Sequence, residues 1–127
     1  MYEINEISDM LNGIVDEIPT EFFTDLNGGV ILLNECKPHP ESQGDLFIMG
    51  EYHHTNTLGR YICIYYGSFM RIYGNLPPDQ MYEQLKHTVL HEFTHHVESL
   101  AGERGLEIED HIHMEEYRRH HKTKSQR

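Results

Sequence analysis

The segment HEFTH, residues 91–95, holds the residue types and spacing that are most indicative of chemistry. In an α-helix, His91 and His95 lie on one face, one turn apart. Two neutral imidazoles on a rigid helix suit a zinc ion. Glu92 is turned by about 100° around the helix, where its carboxylate can take a proton from a zinc-bound water. The pattern predicts one Zn²⁺ ion on His91 and His95, with Glu92 as general base.

Such a site indicates hydrolysis of an amide. Zinc lowers the pKa of a bound water toward roughly 7, so a carboxylate can activate that water near neutral pH. The alternative interpretation is an ordinary helix with surface histidines, because 11 histidines among 127 residues make the pattern less rare than usual. The motif lies in the middle of the longest helical pattern, after a predicted sheet and before further acidic residues, which favours the metal site.

The elements that position this motif begin with a helix and a small sheet. Apolar residues at spacings of three and four predict an amphipathic helix over residues 3–18. Runs rich in β-branched and aromatic residues then predict three strands with hairpin character. The three runs are GGVILLNE, DLFIMGEY and RYICIYYG, with the loops KPHPESQG and HHTNTLGR between them. SFMRIYG extends the third strand or begins a fourth. RYICIYYG is a plausible edge strand for an extended peptide, or an interior strand.

The motif helix follows a change in composition at NLPPDQ, where prolines and an aspartate favour a helix start. An apolar stripe predicts that this helix packs lengthwise on the sheet. The stripe consists of Tyr82, Leu85, Val89, Phe93, Val97 and Leu100. Gly102 fits the left-handed position just beyond the helix end. Residues 106–120 predict a last helix. The fold class is therefore α+β, a small mixed sheet packed on a long HExxH helix with N- and C-terminal helices.

Length and charge limit the classes of protein that this chain fits. A chain of 127 residues is of one-domain size, which predicts a domain over residues 1–117 and a basic, disordered tail over residues 118–127. Residues 1–117 carry 21 acids and five bases, a net charge of −16, which disfavours nucleic acid as a partner. No apolar run is long enough for a membrane span, and the N-terminus is acidic, so a cytoplasmic protein is expected. Cys36 and Cys63 are expected to be free thiols.

A family resemblance is carried by IPTEFF, YYGSFMRIYG and LPPDQMYEQLKHTVLHEFTHH, in that order. This arrangement resembles the minimal zincin family, small bacterial proteins built as a reduced metallopeptidase core, over roughly residues 3–117. The resemblance implies a zincin fold and a zinc metallopeptidase that takes a peptide or protein substrate. The resemblance does not by itself imply that every member is an active peptidase.

The chain departs from the family pattern at the third metal ligand. Many relatives continue as HExxHHxGxxD, whereas Glu98 and Ala101 occupy the glycine and aspartate positions here. With the helix predicted to break at Gly102, Glu103 is the next carboxylate and the expected third ligand. Glu98 is the alternative ligand, or a hydrogen-bond partner of one, since it lies about 10 Å of helix rise beyond His91. Further candidates are Glu107, Glu109, Asp110 and His111.

The remaining histidines have weaker assignments. His96 points one helical step away from His95, so it is expected to pack or hydrogen-bond beside the site and is a weak ligand candidate. His87 is expected to be exposed, and His53 and His54 are expected to be surface groups in a turn. His113 or Tyr117 is a candidate donor to an oxyanion. The rivals to a peptidase are a catalytically inactive zinc-binding structural or interaction protein and, less favoured, a metal-dependent RNase.

Overall fold

Three helices and two small sheets make up residues 1–104, the part of the chain that the computed structural model describes, with side chains described through Gly102. The chain is a mixed α/β protein in this part. The helices are α1 (Ile4–Glu17), α2 (Tyr66–Tyr73) and α3 (Pro78–Arg104). The strands are β1 (Gly29–Leu33), β2 (Lys37–Pro38), β3 (Phe47–Ile48), β4 (Gly50–Thr55) and β5 (Gly59–Tyr65). A short 3₁₀ turn, Thr20–Phe23, follows α1.

The larger sheet has the strand order β1, β5, β4. β1 runs parallel to β5, and β4 pairs with β5 as an antiparallel hairpin. Gly59 closes that hairpin with a φ of 69°, a left-handed conformation that glycine adopts without steric cost. RYICIYYG is thus the interior strand β5, and among the described residues β4 forms an edge of the sheet. The apolar content of β5 fits its central place, since Ile62, Cys63 and Ile64 are all buried.

The core is formed by this sheet and residues of all three helices, including Phe69 and Met70 of α2. The apolar face of α1 supplies Ile7, Leu11 and Ile14, all buried, as its periodicity predicts. The predicted stripe of α3 is buried from Leu85 onward, together with Met81. Tyr82, at the start of that stripe, is only half-buried and donates a 2.6 Å hydrogen bond to Glu17 of α1. The motif helix is therefore packed along its length against α1 and the sheet.

Several local predictions are wrong. SFMRIYG is neither a strand nor an extension of one, because it lies in α2. His53 and His54 lie in β4 and not in a turn. DLFIMGEY is divided between β3 and β4, and the loop KPHPESQG contains the two residues of β2.

The end of the motif helix also differs from the prediction. α3 continues through Gly102 to Arg104, so the helix does not break before Glu103. Gly102 is not among the glycines with positive φ, and helices tolerate such a glycine at a cost of about 1 kcal/mol. The predicted helix over 106–120 and the tail over 118–127 lie outside the described residues. Within residues 1–104, no helix combines the length and apolar character that crossing a membrane requires.

Gly50 allows β4 to lie directly on α3. A Cβ atom at this position would stand 2.9 Å from Thr88 Cγ2 and 3.1 Å from the Cys63 carbonyl oxygen. We expect Gly50→Ala to lower the free energy of unfolding by about 1–3 kcal/mol, because the added methyl group forces the strand away from the helix. Urea denaturation measures this change. Gly13→Ala in α1 is the control, with its nearest neighbour at 3.5 Å, and it is expected to be neutral or stabilising.

Candidate metal centre

His91 and His95 face each other on α3. Their Nε2 atoms are 3.2 Å apart, their ring centroids are 4.7 Å apart, and the ring planes cross at 85°. Both side chains are partly exposed. The arrangement arises from the helix itself, because residues four apart stack on one face.

The spacing of the two nitrogens fits a shared metal ion. Two imidazole nitrogens bound tetrahedrally to zinc at about 2.05 Å lie about 3.3 Å apart. The observed 3.2 Å is close to that value. These residues can therefore hold one divalent ion through Nε2 with no change of backbone.

Glu92 is almost completely buried, with 1% of its surface exposed. The residues one helical turn before and after Glu92, Thr88 and His96, both contact β4. Thr88 packs against Gly50, and His96 bonds with Tyr52. Glu92 thus lies where α3 meets the edge strand, beside the histidine pair, in surroundings with little water. A carboxylate in such a place interacts more strongly with nearby charge than it would in solvent.

Glu98 lies on the far side of His95 from the shared space. Its Oε1 is 3.7 Å from His95 Nδ1, whereas His95 Nε2 faces His91. Metal-binding histidines commonly direct the second ring nitrogen at a carboxylate, which holds the tautomer and the ring orientation. Glu98 therefore lies within ion-pair distance of His95, on the side of the ring away from His91.

No described side chain completes a three-residue group with the histidine pair. In that part of the chain, no group of three or more histidine, cysteine, aspartate or glutamate residues could hold a metal ion. The backbone of Glu103 belongs to the last turn of α3, but its side chain lies outside the described residues. The other candidates also lie outside them. These are Glu107, Glu109, Asp110 and His111, with the oxyanion donors His113 and Tyr117.

His96 is fully buried and has both ring nitrogens occupied. Nε2 lies 2.8 Å from the Thr24 carbonyl oxygen, and Nδ1 lies 2.8 Å from the Tyr52 hydroxyl. Burial lowers the pKa of His96 below its usual 6.5, and the nearby charge of Arg60 acts in the same direction, opposed by the bond to Thr24. His96 therefore packs and hydrogen-bonds beside the site, as expected, and offers no free nitrogen to a metal.

The outer face of β4, opposite α3, carries a second polar group. Oε1 of Glu51 accepts hydrogen bonds from Lys37 at 2.9 Å and from Tyr65 at 2.7 Å, and His53 Nε2 lies 3.1 Å away. Burial raises the pKa of Glu51, but these hydrogen bonds and the Lys37 charge outweigh it, so the pKa lies below its usual 4.5. His53 thus belongs to an ion-pair cluster on the sheet and not to the histidine pair. His54 is exposed and His87 is partly buried.

Sequence reasoning missed Tyr52 and Arg60. Tyr52 lies in the predicted strand DLFIMGEY and Arg60 begins RYICIYYG, so the local pattern indicates only a strand position for each. The signal that could have found Arg60 is a lone arginine at the start of an otherwise apolar strand, since a buried arginine requires hydrogen-bond partners. Nothing local to Tyr52 indicates His96 as its partner.

The fold and the site define a small mixed α/β protein that carries a pair of facing histidines on the longest of its described helices. No protein-family model matches the chain, and no curated protein matches it. A solved structure of a conserved hypothetical protein from Thermus thermophilus is similar, with 32% sequence identity and a TM-score of 0.69. The match covers 80% of this chain and 99% of that one. The chain belongs to the same family as this Thermus protein, whose description assigns no activity.

Proposed function

We propose that this chain is a zinc-dependent metallopeptidase of the zincin type, with one Zn²⁺ ion on His91, His95 and Glu103. The observation that carries the proposal is the 3.2 Å separation of the two Nε2 atoms, which matches two ligands of one tetrahedral ion. The sequence resemblance to the minimal zincins supports the same assignment. The proposed setting is the cytoplasm, in agreement with Cys36 and Cys63 as free thiols.

The chemistry assigned to the chain's own residues centres on Glu92. A zinc ion bound at the pair would supply a water of lowered pKa and polarise the substrate carbonyl. Glu92 takes the proton of the attacking water and later delivers it to the leaving amine. Its burial at the junction of α3 and β4 keeps competing solvent away from that proton transfer. His91 and His95 would hold the ion, and Glu98, whose Oε1 is 3.7 Å from His95 Nδ1, would orient that ring by charge.

The edge strand β4 supplies a binding surface for an extended peptide. The bond from Tyr65 N to Met49 O sets which residues of β4 pair with β5. In the register of this antiparallel pair, Glu51 and His53 direct their main-chain groups toward β5. The main-chain groups of Gly50, Tyr52 and His54 point away from β5, toward the side of β4 where no strand of residues 1–104 pairs. A substrate paired there would run alongside the part of α3 that carries Glu92, with affinity from main-chain hydrogen bonds.

Removal of the metal tests the proposal as a whole. We expect the purified full-length protein to contain about one zinc ion per chain and to cleave denatured casein or members of a mixed peptide library. A chelator such as 1,10-phenanthroline should reduce cleavage at least about a hundredfold, and added zinc should restore it. Elemental analysis and mass spectrometry of the products provide the measurements.

Two outcomes of this experiment count against a peptidase. Cleavage that persists after the zinc has been removed would assign the activity to a contaminant. Stoichiometric zinc without cleavage of any substrate would favour the catalytically inactive zinc-binding protein.

A further inference from the structure

A buried polar network joins four parts of the fold next to His95. We call the set Thr24, Tyr52, Arg60, His96 and Ser99 the His96 network. His96 of α3 bonds to the Thr24 carbonyl, beyond the 3₁₀ turn, and to the Tyr52 hydroxyl of β4, each at 2.8 Å. The turn that presents this carbonyl has Asp25 in a left-handed conformation, with a φ of 63°.

Arg60 extends the network to the central strand. Its Nη1 donates to the Tyr52 hydroxyl at 3.1 Å and also to Oγ of Ser99 on α3. Arg60 is 4% exposed, so these bonds form away from bulk water. α3 is thereby bonded to β4 and β5 through two residues that follow His95: His96, directly after it, and Ser99, about one turn further on.

The hydrogen bonds of the network have one consistent direction. The Thr24 carbonyl only accepts, so His96 Nε2 carries the proton and donates. The neutral ring then accepts at Nδ1 from the Tyr52 hydroxyl, which in turn accepts from Arg60. Both ring nitrogens of His96 form hydrogen bonds, and the Tyr52 hydroxyl both donates one and accepts one. Rotation of α3 about its axis would break several of these bonds at once.

Stability alone does not account for such a network. Well-packed apolar residues often stabilise an interior as much as buried polar groups do. Apolar packing has little directional preference, whereas hydrogen bonds weaken steeply when the angle changes. A directional contact at this point can therefore set the rotation of the helix in a way that the surrounding apolar core does not.

We propose that the His96 network is a positioning device, which sets the rotation of α3 against β4 and so aims the imidazoles of His91 and His95. The Tyr52 hydroxyl, Arg60 and His96 act through the two ligands, and only the main chain of Tyr52 is assigned to substrate binding. The proposal rests on the proposed function, since it concerns the same histidine pair. It assigns His96, the last histidine of HEFTHH, to the alignment of the helix.

Tyr52→Phe tests this assignment, because it removes only the hydroxyl. The matched control is Tyr65→Phe, which removes a buried tyrosine hydroxyl from the opposite face of the same sheet. Both variants and the wild type are titrated with Co²⁺ well below their melting temperatures. We expect Tyr52→Phe to weaken Co²⁺ binding about tenfold and to change the visible spectrum of the saturated protein. Tyr65→Phe should retain the wild-type affinity and spectrum.

A second readout in metal-free protein separates this proposal from the proposed function. Long-range ¹H–¹⁵N NMR spectra report the ring nitrogens of His91 and His95, and both sets of signals should move in Tyr52→Phe but not in Tyr65→Phe. If the wild type binds no metal while these signals move, the zinc assignment fails and the positioning role stands. Unchanged ring signals together with unchanged metal binding would overturn the positioning role. Should Tyr52→Phe not fold, the Co²⁺ titration and the NMR spectra of Ser99→Ala decide whether the positioning role stands.

Discussion

Replacement of His95 by alanine is expected to abolish stoichiometric zinc binding. The variant keeps one imidazole of the pair, and a single histidine beside a third ligand holds zinc far more weakly than a complete site does. Since loss of a partner outside the coordination shell already costs 10–100-fold in metal affinity, loss of a ligand should cost more than about a hundredfold. Elemental analysis after dialysis and competition with a chromophoric chelator measure the effect.

The control for this variant is His87→Ala. His87 lies one turn before His91 on the same helix, and within the described residues it forms no metal-binding group with the pair. Its replacement should leave about one zinc ion per chain. A His95→Ala protein that still holds stoichiometric zinc would end the assignment of the pair as ligands. Loss of zinc from both variants would point to a general disturbance of α3.

Replacement of Glu92 by glutamine is expected to separate metal binding from turnover. The amide has the size of the carboxylate, so α3 should remain packed against β4 and zinc should remain bound. General acid and base groups contribute about 10²–10⁴-fold to rate. We therefore expect kcat for peptide cleavage to fall at least about a hundredfold, with a much smaller change in KM. Cleavage assays on protein with verified zinc content provide the measurement.

Glu83→Gln is the matched control for this second variant. It makes the same chemical change at an exposed position of α3 and should leave both zinc content and kcat unaltered. A Glu92→Gln enzyme with wild-type kcat would remove Glu92 from the mechanism. Loss of zinc from Glu92→Gln but not from Glu83→Gln would assign the carboxylate to metal retention and not to proton transfer.

Much of the fold could be predicted because the corresponding segments have a regular apolar pattern. The helix over residues 3–18 and the interior strand RYICIYYG are observed with boundaries close to those expected. SFMRIYG could not be assigned in this way. Its aromatic and β-branched residues favour a strand locally, but tertiary contacts override that preference. Ser68, Phe69 and Met70 are all buried, and Ser68 Oγ accepts a hydrogen bond from Lys37 N, so the segment folds as α2.

The sequence by itself determined that His91 and His95 converge, because residues four apart in a helix face each other whatever the helix packs against. It also placed Glu92 one helical step after His91. Only the tertiary structure decided that, among the described residues, β4 is an edge strand that packs on α3. It also decided that His96 is bonded to Tyr52 and Thr24, which are 44 and 72 residues away along the chain. The physical reason is separation along the chain. Helix geometry relates residues within about one turn, whereas these partners meet only when the sheet, the 3₁₀ turn and α3 pack together.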